Sequence, residues 1–348
     1  MKKKTAVLQI AATYIGTVIG AGFATGREIV EFFISYGVAG LLGILLCGVF
    51  LVWIGTKIML LAHRYGFPSY EPFNHYLFGK KLGSAVNLLF LVILLGSTSV
   101  MVAGTGSIFH EQLGLPGQWG ILLVLILCFF AMLKGLSGIF AVNILVVPVM
   151  LSFTFLIAVF TLWADPVRGF SNVADSTSHW GWLFSALTYA SYNLAMAQAV
   201  LVPLGKEIDD EKVLNRGGIL GGVGLTFILI TAYIVLMQLP DVARFQIPMA
   251  QLVKSFGPFI HTMYVAVIFG EIFTTVIGNV FGLTRQLRDR LHLPESVIVL
   301  GILFICYWVS LADFSTLLSF LYRIFGTIGF LVLFYLIFPR LRRMTRFK

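Results

Sequence analysis

Charge is what this sequence has least of. Asp, Glu, Lys and Arg make up 11% of its 348 residues, where soluble domains carry about 25%, and the shortfall excludes an ordinary water-soluble globule. Cysteine is nearly absent too. Cys47, Cys128 and Cys306 all fall in apolar segments without metal-ligand spacing, which argues against a disulfide scaffold or a cysteine metal centre. Enzyme motifs are missing: there is no Gly-x-Ser-x-Gly, no His-Glu-x-x-His and no phosphate-cradling loop. His63, His75, His110, His179, His261 and His292 are scattered, mostly at the edges of apolar runs. No catalytic activity and no organic cofactor are therefore expected. A channel would show a repeated ring of charge or a carbonyl-filter motif, and neither is visible.

What the chain does have is hydrophobicity, at 59% of residues and a mean hydropathy of +0.95. Apolar runs long enough to cross a bilayer core of about 30 Å number ten, at roughly 6–36, 38–62, 82–110, 118–134, 139–163, 181–203, 217–238, 257–284, 296–311 and 313–338. The basic start, Met1 to Lys4, is followed by an apolar run without a clear processing site, so no cleavable signal is expected. Of the Lys and Arg on the connections, eighteen collect on one side and three (Arg168, Arg244 and Lys254) on the other. That bias expects a multi-pass cell-membrane protein with both termini cytoplasmic. It also accounts for the net charge of +9 without nucleic acid as a partner; the partners expected are the bilayer and a small molecule. Oligomeric state is not readable.

Five spans on either side of the 164–180 connection imply two halves, 1–163 and 181–348, running inverted through one membrane domain. The two long third spans, 82–110 and 257–284, lie about 175 residues apart, an offset that maps the glycine-rich part of span one onto residues 191–195 of span six. The architecture expected is therefore all-α, a 5+5 inverted repeat with helices 1 and 6 broken.

Within span one, residues 16–26 contain Gly16, Gly20, Gly22 and Gly26, each less favourable than alanine in a helix by about 1 kcal/mol. The economical reading is two half-helices, 5–18 and 23–36, joined by unwound backbone at mid-membrane, where freed peptide groups must face protein or a wet cavity. A glycine face for close helix packing is the plainer alternative. Five ionisable residues also lie where lipid should be: Arg27, Glu28, Glu31, Glu271 and Arg323. Each costs about 2.5–3.5 kcal/mol at a helix centre, so each needs a partner or water. Arg27 and Glu31 are spaced to neutralise each other, while Arg323, at about half depth, looks for Glu28 or Glu31, an arrangement that would make a gate. Glu271, Thr274 and Thr275 share one helical face. The threonines could simply bond back to carbonyls of their own helix, or their hard oxygens could take an alkali cation.

The run from Gly16 resembles the first-helix break of leucine-transporter-fold carriers in the amino acid–polyamine–organocation superfamily. The whole chain resembles the YkvI-like bacterial membrane proteins, whose Val-Ile-Gly-Ala-Gly-Phe-Ala-Ser/Thr-Gly-Arg/Gln-Glu signature stands here at residues 18–28. The resemblance implies a cation-coupled symporter of an amino acid or related solute, or alternatively a nutrient receptor of the same fold. It implies a sodium site at the carbonyls of Gly16, Ile19 and Glu271 and the hydroxyls of Thr274 and Thr275. The glutamate stands where small residues are usual, which leaves open a proton in place of, or beside, sodium. Substrate would lie near Gly20, Gly22, Phe23, Ala24 and Thr25, its carboxylate at the start of the second half-helix. Tyr189, Tyr192 and Asn193 would stand opposite, with Ser97 and Ser99 adding hydroxyls.

Overall fold

The amide ladder of the first helix stops at Ile19, whose N–H donates to the Ile15 carbonyl at 2.9 Å, and resumes at Ala24, whose N–H donates to Gly20 at 3.0 Å. Between them Gly20 is extended, at φ −120° and ψ −170°. This is a computed structural model that describes residues 3–133, 180–291 and 293–337 and a few positions between 149 and 159; among the described residues it is helical without strands. The break separates α1 (Lys3–Val18) from α2 (Ala21–Thr25), and α3 (Arg27–Phe32) follows.

The second half-helix expected over 23–36 is therefore in pieces. Gly26 takes a left-handed φ of +80° that ends α2, and a short 3-10 turn at Ile34–Tyr36 follows α3. Only glycine adopts that φ at no steric cost, and a β-carbon there would also lie 2.7 Å from Met249 Cγ.

Helix α4 (Val38–Tyr65) contains a π-helical turn at Leu51–Gly55. A wide turn of this kind leaves a carbonyl to be satisfied from outside; Tyr14 Oη of α1 donates to the Leu51 carbonyl at 2.7 Å. After the amphipathic α5 (Tyr70–Phe78) come α6 (Lys80–Gln112) and α7 (Gly117–Leu133). Apart from those few positions, the expected span at 139–163 lies outside the described residues, as do the connection after it as far as residue 179 and residues 338–348. Helix α8 (Gly181–Glu207) leads to α9 (Glu211–Leu236), which Asp210 caps by accepting from the amides of Lys212 and Val213 at 2.9 and 3.3 Å. The 239–256 connection contains α10 (Pro248–Val253); then follow α11 (Pro258–Leu291), α12 (Glu295–Ser310) and α13 (Phe314–Ile337).

Five of these helices, α4, α6, α9, α11 and α13, are long and apolar enough to cross a membrane, and α7 and α12 are shorter apolar helices. The chain is a multi-pass membrane protein, as its backbone chemistry requires: apolar runs in lipid must satisfy their peptide groups within helices.

The expected break in span six is not there. Helix α8 runs without interruption from Gly181 to Glu207. Residues 191–195 contain no glycine or proline to open it, and Asn193 bonds back to the Tyr189 carbonyl at 3.0 Å, which is compatible with a helix. Its role shows in its burial. Residues 188–195 of α8 and 97–106 of α6 are buried on every side, which only helices at the centre of a bundle can be.

Glycines set the close approaches between helices. On α9, a β-carbon at Gly217 or Gly221 would lie 2.6 or 2.8 Å from Ile10 or Tyr14 of α1. Its neighbours Gly218 and Gly222 are as close to Thr56 and Val52 of α4. One helix thus holds two others at backbone distance, the packing mode that lipid favours. Gly326 and Gly329 of α13 meet the Thr188 and Ser191 carbonyls of α8 in the same way, at 2.5 and 2.8 Å, which lays Tyr322 and Phe325 beside Tyr192.

Candidate functional site

Two buried carboxyl groups flank the break. The first belongs to Glu28, which the opening turn of α3 places at 5% exposure. Its side chain folds over Gly22 so closely that a β-carbon there would lie 1.9 Å from Oε1 and 2.5 Å from Cδ. Tyr189 and Tyr322 stand beside it. Tyr322 stacks on Tyr192 with ring centroids 4.3 Å apart, and the Tyr192 hydroxyl lies 3.3 Å from Ser97 Oγ. Behind them Phe32 and Phe33 pack on Tyr189 at 5.4 and 5.0 Å. The result is a carboxyl in an aromatic box built from α3, α6, α8 and α13.

Among the described residues no cation pairs with Glu28. Of the two counter-charges expected for Arg323, it is Glu31 that takes it: Arg323 Nη2 meets Glu31 Oε1 at 2.6 Å, and Arg27 Nη2 stands 3.9 Å from Glu31 Oε2. Glu28, one residue beyond Arg27, lies over Gly22, while Glu31, four residues on, shares a face with Arg27. Arg27 Nη1 also donates to the carbonyls of Ala243 and Phe245, at 2.7 and 3.1 Å. The 239–256 connection is held further by Glu111, which accepts from the Ile247 amide at 2.9 Å, and by Gln246, which donates to Asp313 at 2.8 Å. A strap thus lies over one end of the broken helix.

The second carboxyl is Glu271, 2% exposed, with Oε2 buried and, among the described residues, without a hydrogen-bond partner. One turn on, the Thr274 and Thr275 hydroxyls donate to the Glu271 carbonyl at 3.0 and 2.9 Å. The back-bonding expected of threonines in a helix is therefore real, but each hydroxyl spends only its proton on it and keeps its lone pairs. Thr275 Oγ1 lies 3.9 Å from where a β-carbon on Gly20 would be, so this face of α11 lies on the break. Gly16 and Ile19 adjoin it at the end of α1, where a helix's last carbonyls have no partner of its own. Hard oxygens and an orphaned carboxylate oxygen suit an alkali cation or a proton.

Of the remaining residues expected at the site, Ser97, Tyr189 and Tyr192 come together with Gly22 around Glu28. Thr25 is used locally, donating to the Gly22 carbonyl at 2.9 Å. Ser99 and Asn193 bond back along their own helices. Phe23 is buried, and the Ala24 carbonyl accepts from Tyr264 at 3.1 Å. Tyr264 and Tyr322 went unnoticed in the sequence. The signal for Tyr322 was its position next to Arg323, which a half-depth charge had already singled out.

No family model matches the chain. Two proteins of Bacillus subtilis (strain 168) are similar to it. An uncharacterized membrane protein, YkvI, is 41% identical over 330 residues, 94% of each chain. An uncharacterized protein, YyaD, is 27% identical over 334 residues, 94% of this chain and 96% of the other. Among solved structures, a Na+-coupled sialic acid symporter in a substrate-bound outward-open state is similar with a TM-score of 0.70 over 96% of this chain and 79% of that one, at 12% identity. That likeness shows a shared fold, of the leucine-transporter-like type.

Proposed function

The chain belongs to the family of the membrane protein YkvI, and we propose that it is a cation-coupled secondary transporter of a small organic solute, working by alternating access. The observation that carries this is the break itself: unwound backbone at Gly20 lies against the Glu271 and Thr275 face of α11 at the centre of the bundle. Discontinuous helices that offer free peptide groups beside polar side chains are how secondary transporters bind ions and solutes near mid-membrane.

In this reading Thr274, Thr275 and the carbonyls of Gly16, Ile19 and Glu271 hold a sodium ion, with Glu271 adding negative charge or carrying a proton instead. A bound cation there supplies a positive charge shared by α1 and α11. The chain's own part is to make that charge costly to lose, because Glu271 has no other partner among the described residues. The first helix is then held to α11 until substrate and cation are both in place. Movement of α1–α4, α8 and α9 against the rest carries the site from one side of the membrane to the other. The termini are cytoplasmic by the charge bias, and the halves 1–163 and 181–348 are the inverted repeats that such a movement needs. The amino acids expected from the resemblance remain one class of substrate.

Replacing potassium by sodium is expected to raise the melting temperature of the purified protein, since a cation in hundredfold excess over its Kd stabilises by about 2.7 kcal/mol. Thr274→Ala combined with Thr275→Ala is expected to remove that shift while leaving the potassium melt unchanged. Equal sodium shifts in wild type and variant would eliminate the cation site. Counterflow in proteoliposomes separates a carrier from a receptor that binds without flux.

A further inference from the structure

We propose that the substrate is an organic cation, a small protonated amine without a carboxylate of its own, recognised by Glu28 inside its aromatic box. This deepens the transporter reading and rests on its binding site. The argument starts from an imbalance of charge. Glu28 is buried, Tyr189 and Tyr322 stand beside its carboxyl, and among the described residues no cation pairs with it. The two nearby guanidinium groups, Arg27 and Arg323, are both turned to Glu31. A buried carboxylate without a counter-charge is costly, and in a membrane such a residue marks a ligand or ion path.

The surroundings then say what kind of cation. Tyr189, Tyr192 and Tyr322 enclose the carboxyl, with Phe325 6.4 Å from Tyr192. Aromatic faces beside an anionic group form the setting that attracts an ammonium on two counts, ion pairing and cation–π contact. A hydrated metal ion gains less from such walls than an alkylammonium does. Gly22 completes the case: its missing side chain is what lets the carboxyl lie on the break. The space beside the unwound backbone that would take a substrate carboxylate is thereby already occupied by one. A second would meet like charge in a poorly screened interior.

The test uses the full chain in nanodiscs and two sets of probes, each sharing one carbon skeleton: isoamylamine, leucine and isocaproate, and phenethylamine, phenylalanine and hydrocinnamate. Ligand-dependent melting shifts and counterflow are read on the same preparations, together with the sodium shift. The amine of a set is expected to bind about tenfold or more tightly than its amino acid, with no binding of its acid. Glu28→Gln is expected to abolish that preference. Tyr322→Phe, which keeps the carboxyl and the ring, is expected to weaken amine binding while retaining the preference, which covers the case of a misfolded Glu28 variant. Tighter binding of an amino acid or acid, binding of none of the amines, or an undiminished amine preference in folded Glu28→Gln each overturns the proposal. Preference for a carboxylate-bearing probe with the sodium shift and counterflow intact sinks only the substrate class. Amine binding without counterflow supports the substrate class and sinks the carrier.

Discussion

Gly22→Ala is expected to cost the protein its ligand binding while leaving it folded. The added methyl would lie 1.9 Å from Glu28 Oε1 and 2.8 Å from Cγ, so the end of a flexible side chain must move, not the backbone. Once displaced, the carboxyl loses its place over the break. Removing one partner of a buried charge pair costs about 3–5 kcal/mol, so ligand affinity is expected to fall by about a hundredfold or more. Gly301→Ala on α12 is the control, because a β-carbon there meets nothing within 4 Å. The check is a melting-shift titration of both variants with size-exclusion profiles alongside. Gly22→Ala with wild-type affinity would mean that the position of Glu28 is irrelevant to binding.

Arg27→Ala is expected to open the strapped end of the site. This guanidinium ties α3 to the 239–256 connection: it stands beside Glu31 and donates to the Ala243 and Phe245 carbonyls. Hydrogen bonds from charged groups contribute about 1.5–3 kcal/mol each, so losing two shifts an open-to-closed ratio by about a hundredfold or more. Arg323→Ala removes only the Glu31 contact and is expected to do less. The reporter is Ser97→Cys, labelled from outside with a membrane-impermeant maleimide; Cys47, Cys128 and Cys306 are all buried and keep the background low. Faster labelling in Arg27→Ala is expected, and an unchanged rate would show that the strap is not a gate.

The sequence is legible where a single residue type has one physical meaning. Apolar runs in lipid can only be helices, so the spans that fall on described residues are close to the helices observed, within a few residues at their ends. Four glycines in eleven residues signal an opened helix, and Gly20 is where it opens. Span six failed for the complementary reason: symmetry argued for a break, but no residue at 191–195 weakens a helix, and α8 is continuous. A positive φ is not visible in composition, so Gly26, which ends α2, reads in the sequence as part of a helix. The choice of Glu31 over Glu28 for Arg323 depended on which way α3 is rotated, and two short pieces joined at a glycine do not carry a helical phase that the sequence reveals. Tyr322 was hidden because a tyrosine in an apolar helix ordinarily reads as packing; only its approach to Glu28 across more than half the chain gives it meaning.

Hydrogen–deuterium exchange over residues 16–25 tests most directly whether the first helix is open and addressed to a cation. Backbone amides between Ile19 and Ala24 are expected to exchange faster than those of residues 97–106 at the centre of α6, and to slow when sodium replaces potassium. Thr274→Ala with Thr275→Ala is expected to remove that slowing. Exchange over 16–25 as slow as in α6 and indifferent to sodium would contradict the account.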